Sequence, residues 1–156
     1  VFRIDGKVLT TSNRKRLRDV SGKDICQLRR KPFRHPKEHY LQVAQKQVCT
    51  IRGKLGLGSR RCSALFNNAV ADSAPTELFI MGHFLNEPGA KVHLGSNEKG
   101  PVVIELERDI MNARQWMTGR HTYKVHVAKG VDMALACALA VTVDERRGKG
   151  FTSTIA

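Results

Sequence analysis

The sequence is poor in aromatic and acidic residues and contains no long apolar segment. Aromatic residues fill 6% of the 156 positions, and 27 Lys and Arg outnumber 14 Asp and Glu. Modules that bind RNA or single strands stack bases on interleaved aromatic rings, so the aromatic scarcity argues against them. No apolar run approaches the ~20 residues that a membrane-spanning helix needs.

Several motifs that mark catalytic and metal sites are also missing. The four cysteines form no CxxC pair, and neither a GxxxxGK[ST] phosphate loop nor a GxSxG nucleophile turn occurs. No secretory signal is visible in the sequence, and no N-x-[ST] sequon occurs in it. From the missing catalytic and metal-binding motifs we predict a chain that is not an enzyme, with no cofactor and no bound metal. We expect it in a reducing, intracellular compartment, in the cytoplasm or peripheral at the plasma membrane, with the nucleus as an alternative.

Two pairs of titratable residues have the spacing of functional sites. His35 and His39 have helical ligand spacing, but they lie in a proline-flanked stretch, which favours an ordinary surface pair over a metal site. Glu105 and Glu107 share one strand face, as a general acid/base pair requires. Solvated strand charges are the commoner explanation, so no catalytic residue is predicted.

The most apolar stretch runs from Met133 to Val143, where Thr142 is the one polar residue. Its side chains alternate in size, which suggests a strand, but the small positions are all alanine, which favours a helix. Asp132 is a candidate N-cap, and Arg146 and Arg147 follow near the negative end of the helix dipole. A helix that is apolar all round is buried all round, and about a dozen residues span only ~18 Å. We predict a core helix rather than a membrane segment.

The rest of the chain has the pattern of short strands separated by turns. Strands are predicted at residues 1–4, 24–31, 40–43, 48–52, 78–85, 91–94, 102–108 and 123–127, with the strand at 78–85 continuous or broken at Gly82. Asp5-Gly6 and Pro88-Gly89 predict turns, and residues 64–74 predict a loop. The predicted fold class is mainly β (α+β), a β-structure closed around one central helix.

The net positive charge comes entirely from the first part of the chain. Residues 1–62 hold 17 Lys and Arg against 4 Asp and Glu, whereas residues 63–156 hold 10 of each. Such asymmetry indicates an anionic partner, either lipid headgroups or nucleic acid. The alternative is a solvated β-surface whose cations protect strand edges and solubility.

The candidate anion- or lipid-binding residues are the basic side chains of three clusters. They are Arg14, Lys15, Arg16, Arg18, Arg29, Lys31, Arg34, Lys37, Lys54, Arg60 and Arg61. Each cation near an anionic membrane surface contributes about 1 kcal/mol, so several on one face would recruit the chain to a membrane. Neighbours in a strand point to opposite faces, so Arg30 is expected to point inward.

Three segments in order carry short family motifs: VFRIDG (1–6), LRDVSGKDICQLRRK (17–31) and YKVHVAKGVDMALACALAVTVDE (123–145). The matching positions are Phe2-Arg3-Ile4, Leu17-x-Asp19-x-x-Gly22, Leu28-x-x-Lys31 with Arg30, and Val131-Asp132-x-Ala134-Leu135. In these motifs the chain resembles the LURP-one-related family of the tubby-like superfamily. Members of that family usually carry an earlier hairpin with a glycine turn, and we expect this chain to lack that hairpin.

The resemblance implies a single tubby-like domain over residues 1–156, with a closed antiparallel β-barrel around a central apolar C-terminal helix. Superfamily relatives include tubby domains, which bind phosphoinositides at the plasma membrane, and phospholipid scramblases; plant members of the family are linked to pathogen defence. The expected function is a non-enzymatic, monomeric binding module for phosphoinositide or other anionic lipid. A scramblase-like membrane protein and a nucleic-acid-binding or scaffold domain are the alternatives, and the sequence leaves a protein partner unknown.

Overall fold

The computed structural model describes residues 3–6, 14–34, 36–54, 61–68, 71–83, 89–108 and 123–145. Within these residues the chain forms strands followed by one helix. The strands are β1 (Arg3–Gly6), β2 (Lys15–Arg18), β3 (Asp24–Arg30), β4 (Glu38–Val43), β5 (Lys46–Gly53), β6 (Arg61–Asn68), β7 (Ala74–His83), β8 (Gly89–Leu94), β9 (Val102–Arg108) and β10 (Tyr123–Val127). The helix α1 spans Met133–Glu145.

The ten strands form one antiparallel sheet in which spatial order follows sequence order. Each strand pairs with the next one along the chain, as in a series of hairpins. The mainly β class with a C-terminal helix is therefore confirmed. Among the described residues, no hydrogen-bonded pairing joins β1 to β10, so hydrogen bonds do not close the sheet there.

The predicted helix, its N-cap and its burial are confirmed. One carboxylate oxygen of Asp132 accepts a hydrogen bond from the Leu135 amide at 2.7 Å, and the Asp132 carbonyl accepts from the Ala136 amide at 3.1 Å. Every residue from Leu135 to Val143 is buried. The buried Thr142 hydroxyl donates a hydrogen bond to the Ala138 carbonyl oxygen at 2.9 Å. Arg146 and Arg147 lie outside the described residues.

A single hydrophobic core joins the helix to one face of the sheet, here called the core face. Strands β2 to β9 each contribute at least one buried side chain, and Ile51, Ile80 and Ile104 are among the largest that are fully buried. The four cysteines are buried thiols, and burial raises the pKa of Cys26 and Cys137 to about 11 and of Cys49 to about 12. These thiols are packing groups rather than nucleophiles.

The predicted loop at residues 64–74 is wrong over residues 64–68, which belong to β6, and at Ala74, which begins β7; residues 71–73 form a turn as predicted. On β6 the core-face positions Cys62 and Ala64 are small, and the intervening Ser63 is buried as well. A strand of small residues buried on both faces has no alternation of apolar and polar side chains, which is why the pattern escapes sequence analysis. Strand β2 was missed for a related reason, since Leu17 is its one apolar residue.

The turns predicted at Asp5-Gly6 and Pro88-Gly89 are also wrong, because both glycines belong to strands. Asp5 and Gly6 lie inside β1 and pair with β2. Gly89 lies inside β8, where an added Cβ would come 2.4 Å from the Leu106 carbonyl oxygen of β9, so glycine allows the two strands to approach. Strand β7 continues through Gly82 without a break. Pro88 lies outside the described residues.

Candidate anion-binding surface

The sheet topology gathers many of the basic residues at one end of the molecule. In a sheet of sequential antiparallel strands, successive connections lie at alternate ends. The ends of β3 and β5 therefore lie beside the starts of β2, β4 and β6. We call this region the cationic rim; its residues are Arg14, Arg29, Lys31, Arg34, Lys37, Arg52, Lys54 and Arg61, with Glu38 among them.

The pleat of the strands divides these residues between two faces. Arg29 pairs with Tyr40 on the face away from the core, here called the outer face. Its neighbour Arg30 pairs with the buried His39 and shares the core-facing side of β3 with Leu28. Lys15 pairs with Leu28 and thus also belongs to the core-facing side, away from the outer-face cations.

Glu38 balances two of the rim cations. Its carboxylate accepts hydrogen bonds from the Lys31 ammonium and, at 3.0 Å, from the Arg52 guanidinium. The carboxylate is largely buried, with 9% of the side chain exposed. The hydrogen bond from Lys31, followed by the charge of Arg52, lowers the pKa of Glu38 below its ordinary value. Lys31 and Arg52 are therefore held in place with their charges partly compensated.

Lys54 is fixed by three different contacts. Its ammonium donates to the Ser96 carbonyl oxygen at 2.9 Å and lies 3.6 Å from the Glu77 carboxylate. It also stands 4.8 Å from the centre of the Phe79 ring, a cation–π geometry. Lys54 thus links the end of β5 to the turn after β8, and its positive charge is largely balanced by contacts within the protein.

Arg16 and Arg18 were predicted to join the other basic residues, but the structure directs them towards the opposite end. Both contact Asp24, at 3.5 Å from Arg16 and 2.7 Å from Arg18. Asp24 begins β3 next to the turn in which Asp19 accepts hydrogen bonds from Ser21 and Lys23. Those hydrogen bonds lower the pKa of Asp19, with the Ser21 hydroxyl contributing most. This opposite end therefore carries charges of both signs.

Five rim cations have no Asp or Glu partner among the described residues: Arg14, Arg29, Arg34, Lys37 and Arg61. Four of them are exposed, and Arg29 is half-buried. The Nε atom of Arg29 is buried without a hydrogen-bond partner. Guanidinium groups bind carboxylate and phosphate oxygens strongly, so this set is suited to an external anion. The eleventh candidate, Arg60, lies outside the described residues.

Two residues of this region, Arg52 and Phe33, are not among the candidates predicted from the sequence. Arg52 lies on the outer face with Lys54, two positions away, and the period of a strand would have linked them. Phe33 stands in the segment between β3 and β4 and is fully exposed, at 105% of its reference area. The surrounding sequence, KPFRHPK, indicated a basic loop but did not indicate that the aromatic ring would be exposed to solvent.

The weaker candidate sites are explained by structural contacts. Glu105 lies 3.4 Å from Lys91, and Glu107 lies 3.5 Å from His126, so each carboxylate has a cross-strand partner. His39 is buried at 1% exposure, whereas His35 lies outside the described residues. Within the described part of the chain, no group of three or more His, Cys, Asp or Glu is arranged to hold a metal ion.

The described residues include no helix of the length and apolarity needed to cross a membrane. No curated protein and no solved structure matches the chain significantly. One family model, described as LURP-one-related, matches residues 1–144. Because that match spans nearly all of the 156 residues, the chain belongs to the LURP-one-related family.

Proposed function

We propose that this protein is a non-enzymatic binding module whose cationic rim engages anionic membrane lipid, with phosphoinositide as the preferred class. The observation that carries the proposal is the set of five rim cations without a carboxylate partner in the described structure. At about 1 kcal/mol for each cation near an anionic surface, such a set supplies several kcal/mol of attraction. The module would then work as a monomer, inside the cell and peripheral to a membrane.

We infer further that the sheet curves into a tubby-like barrel around α1. Complete burial of the helix from Leu135 to Val143 supports this, since a flat sheet covers only one side of a helix. Contacts of α1 with both β3 and β10, near the two ends of the strand order, also support it. A barrel of this kind would present the cationic rim as part of one end.

The rival functions make different physical demands. A scramblase-like activity through α1 would require the helix to leave the core, and its 13 residues reach only about 20 Å, short of a ~30 Å hydrocarbon layer. A nucleic-acid-binding domain would use the same cations on phosphates, with an affinity that falls steeply with salt. Because lipid and nucleic acid would contact the same cations, competition between vesicles and DNA distinguishes the two functions, whereas neutralising the cations does not.

The test is co-sedimentation of the 156-residue chain with vesicles at physiological salt. Three vesicle types are compared: phosphatidylcholine alone, phosphatidylcholine with phosphatidylserine, and the same at matched charge with a phosphoinositide. Duplex DNA is added as a competitor. We expect pelleting with the anionic vesicles, strongest with phosphoinositide, that excess DNA does not abolish. Absence of binding to every vesicle, or complete displacement by DNA, would overturn the lipid function.

A further inference from the structure

One aromatic side chain at the cationic rim is entirely outside the fold. Phe33 is 105% exposed, whereas every other exposed large apolar side chain in the described structure except Val20 is at most 45% exposed. Val20 is 83% exposed but lies in the turn between β2 and β3, at the opposite end. Phe33 is thus an isolated apolar group standing among basic residues.

The backbone at Phe33 is also unusual. Its φ is +57°, in the left-handed region that a bulky side chain rarely adopts. In a turn, the position after a proline with positive φ is normally filled by glycine or asparagine. Here Pro32 precedes the residue, yet the sequence has phenylalanine there. Within the described structure this ring packs on nothing and its backbone conformation is unfavourable, so no packing there explains a phenylalanine at this position.

The surroundings of Phe33 identify what it can meet. Arg34 follows it directly, and Lys37 closes the same short segment; both are exposed and have no carboxylate partner among the described residues. A partner that accepts an aromatic ring between two cations must present anions at its surface and apolar matter just beneath. A bilayer containing anionic lipid has that layering, and peripheral proteins combine apolar insertion with basic side chains to bind it.

We propose that Phe33 is an apolar anchor that inserts into the interfacial layer of an anionic membrane while Arg34 and Lys37 contact the headgroup phosphates. This proposal rests on the lipid function above and adds a depth and an orientation to it. The cationic rim then faces the bilayer, and Phe33 is the side chain that penetrates it. Interfacial aromatic rings occupy this depth in membrane proteins generally.

The experiment compares vesicle partition of the wild type with Phe33→Asn, Phe33→Trp and the matched control Val20→Asn. Asparagine tolerates positive φ, so Phe33→Asn removes the ring without harming the fold, which thermal unfolding checks. On phosphatidylserine vesicles we expect Phe33→Asn to lower the partition coefficient by about tenfold, consistent with partial burial of one aromatic ring. Phe33→Trp should bind at least as tightly as the wild type, and Val20→Asn should bind like it.

Salt separates insertion from charge attraction. The ratio of the partition coefficients of wild type and Phe33→Asn should stay constant between 0.1 and 0.5 M salt, since ions do not screen apolar burial. The loss in partition coefficient caused by Arg34→Gln should shrink over the same range, because the Debye length falls from ~10 Å to roughly 4 Å. If the wild type binds anionic vesicles and Phe33→Asn binds them equally well, the proposed anchor is overturned but the lipid function is not. Failure of the wild type to bind any anionic vesicle would overturn both the anchor and the lipid function.

Discussion

At the scale of single residues, the rim cations differ in what balances their charge. Lys31 and Arg52 share the buried carboxylate of Glu38, and Lys54 is held by a carbonyl, a carboxylate and a ring. Arg29, by contrast, has a buried Nε without a hydrogen-bond partner. A ligand anion would therefore gain more from the unbalanced cations than from the balanced ones, although the two kinds look identical in the sequence.

Replacement of Glu38 by glutamine should separate stability from binding. The variant loses two charge-assisted hydrogen bonds, and because Lys31 and Arg52 are partly exposed to screening water we expect a loss of about 1–2 kcal/mol in the free energy of unfolding at pH 7. Binding to anionic vesicles should increase, since two rim cations lose their internal partner. Chemical denaturation and vesicle pelleting measure the two effects.

The pH dependence of that stability loss has a defined sign. The pKa of Glu38 is lowered in the folded chain from its ordinary value of 4.5, so the unfolded chain binds the proton first as the pH falls. The stabilisation is complete above pH 4.5 and is lost as the pH drops through the folded pKa, where wild type and Glu38→Gln should converge. Glu98→Gln, at an exposed turn position, is the control. Equal stability of wild type and Glu38→Gln at pH 7 would contradict the role given to the carboxylate.

At the scale of elements, the hairpins are not all built from favourable turn residues. Val43 pairs with Lys46, so Ala44 and Gln45 form a two-residue turn, with φ of +47° and +66°. Two positive φ values in such a turn indicate type I′, which favours Asn-Gly. The β4–β5 hairpin is therefore maintained by its strand pairs in spite of its turn.

Correcting this turn should stabilise the fold. The double substitution Ala44→Asn with Gln45→Gly suits the observed dihedral angles, and we expect the free energy of unfolding to rise by about 1 kcal/mol. The converse control is Gly22→Ala, where φ is +85° and an added Cβ meets no atom within 4 Å. Its effect is purely conformational and should be a loss of about 1 kcal/mol. A destabilised double variant in urea denaturation would show that the turn is not under the inferred strain.

Which elements could be predicted depended on whether their side chains alternate. Strands β9 and β10 were predicted with the observed bounds, because apolar and polar residues alternate between the core face and water. Strand β6 was not, since Cys62, Ser63 and Ala64 are small and buried in succession. The site was predicted in part: the sequence identified the basic clusters, but only the register directs Arg16 towards Asp24 and turns Lys15 to the core-facing side. The register between two neighbouring strands cannot be read from the residue pattern of either strand alone.

At the scale of the whole molecule, the charge asymmetry along the sequence becomes a difference between two ends of one sheet. The cationic rim gathers basic residues from β2 to β6, with Glu38 as the acidic residue among them. The opposite end contains Asp19, Asp24 and Asp132 together with lysines such as Lys23. A polarised molecule of this kind would orient itself on an anionic surface before contact, because the attraction acts over about a Debye length.

The most direct test of this account neutralises three cations at either end and compares the two variants on phosphatidylserine vesicles at physiological salt. The rim variant is Arg29→Gln/Arg34→Gln/Lys37→Gln, and the matched control, with the same change in net charge, is Lys23→Gln/Lys46→Gln/Lys129→Gln. At about 1 kcal/mol per cation in contact, the rim variant should bind roughly a hundredfold more weakly, whereas the control should bind nearly as the wild type does. Equal losses in the two variants, or no loss in the rim variant, would contradict the claim that the cationic rim is the membrane-facing surface.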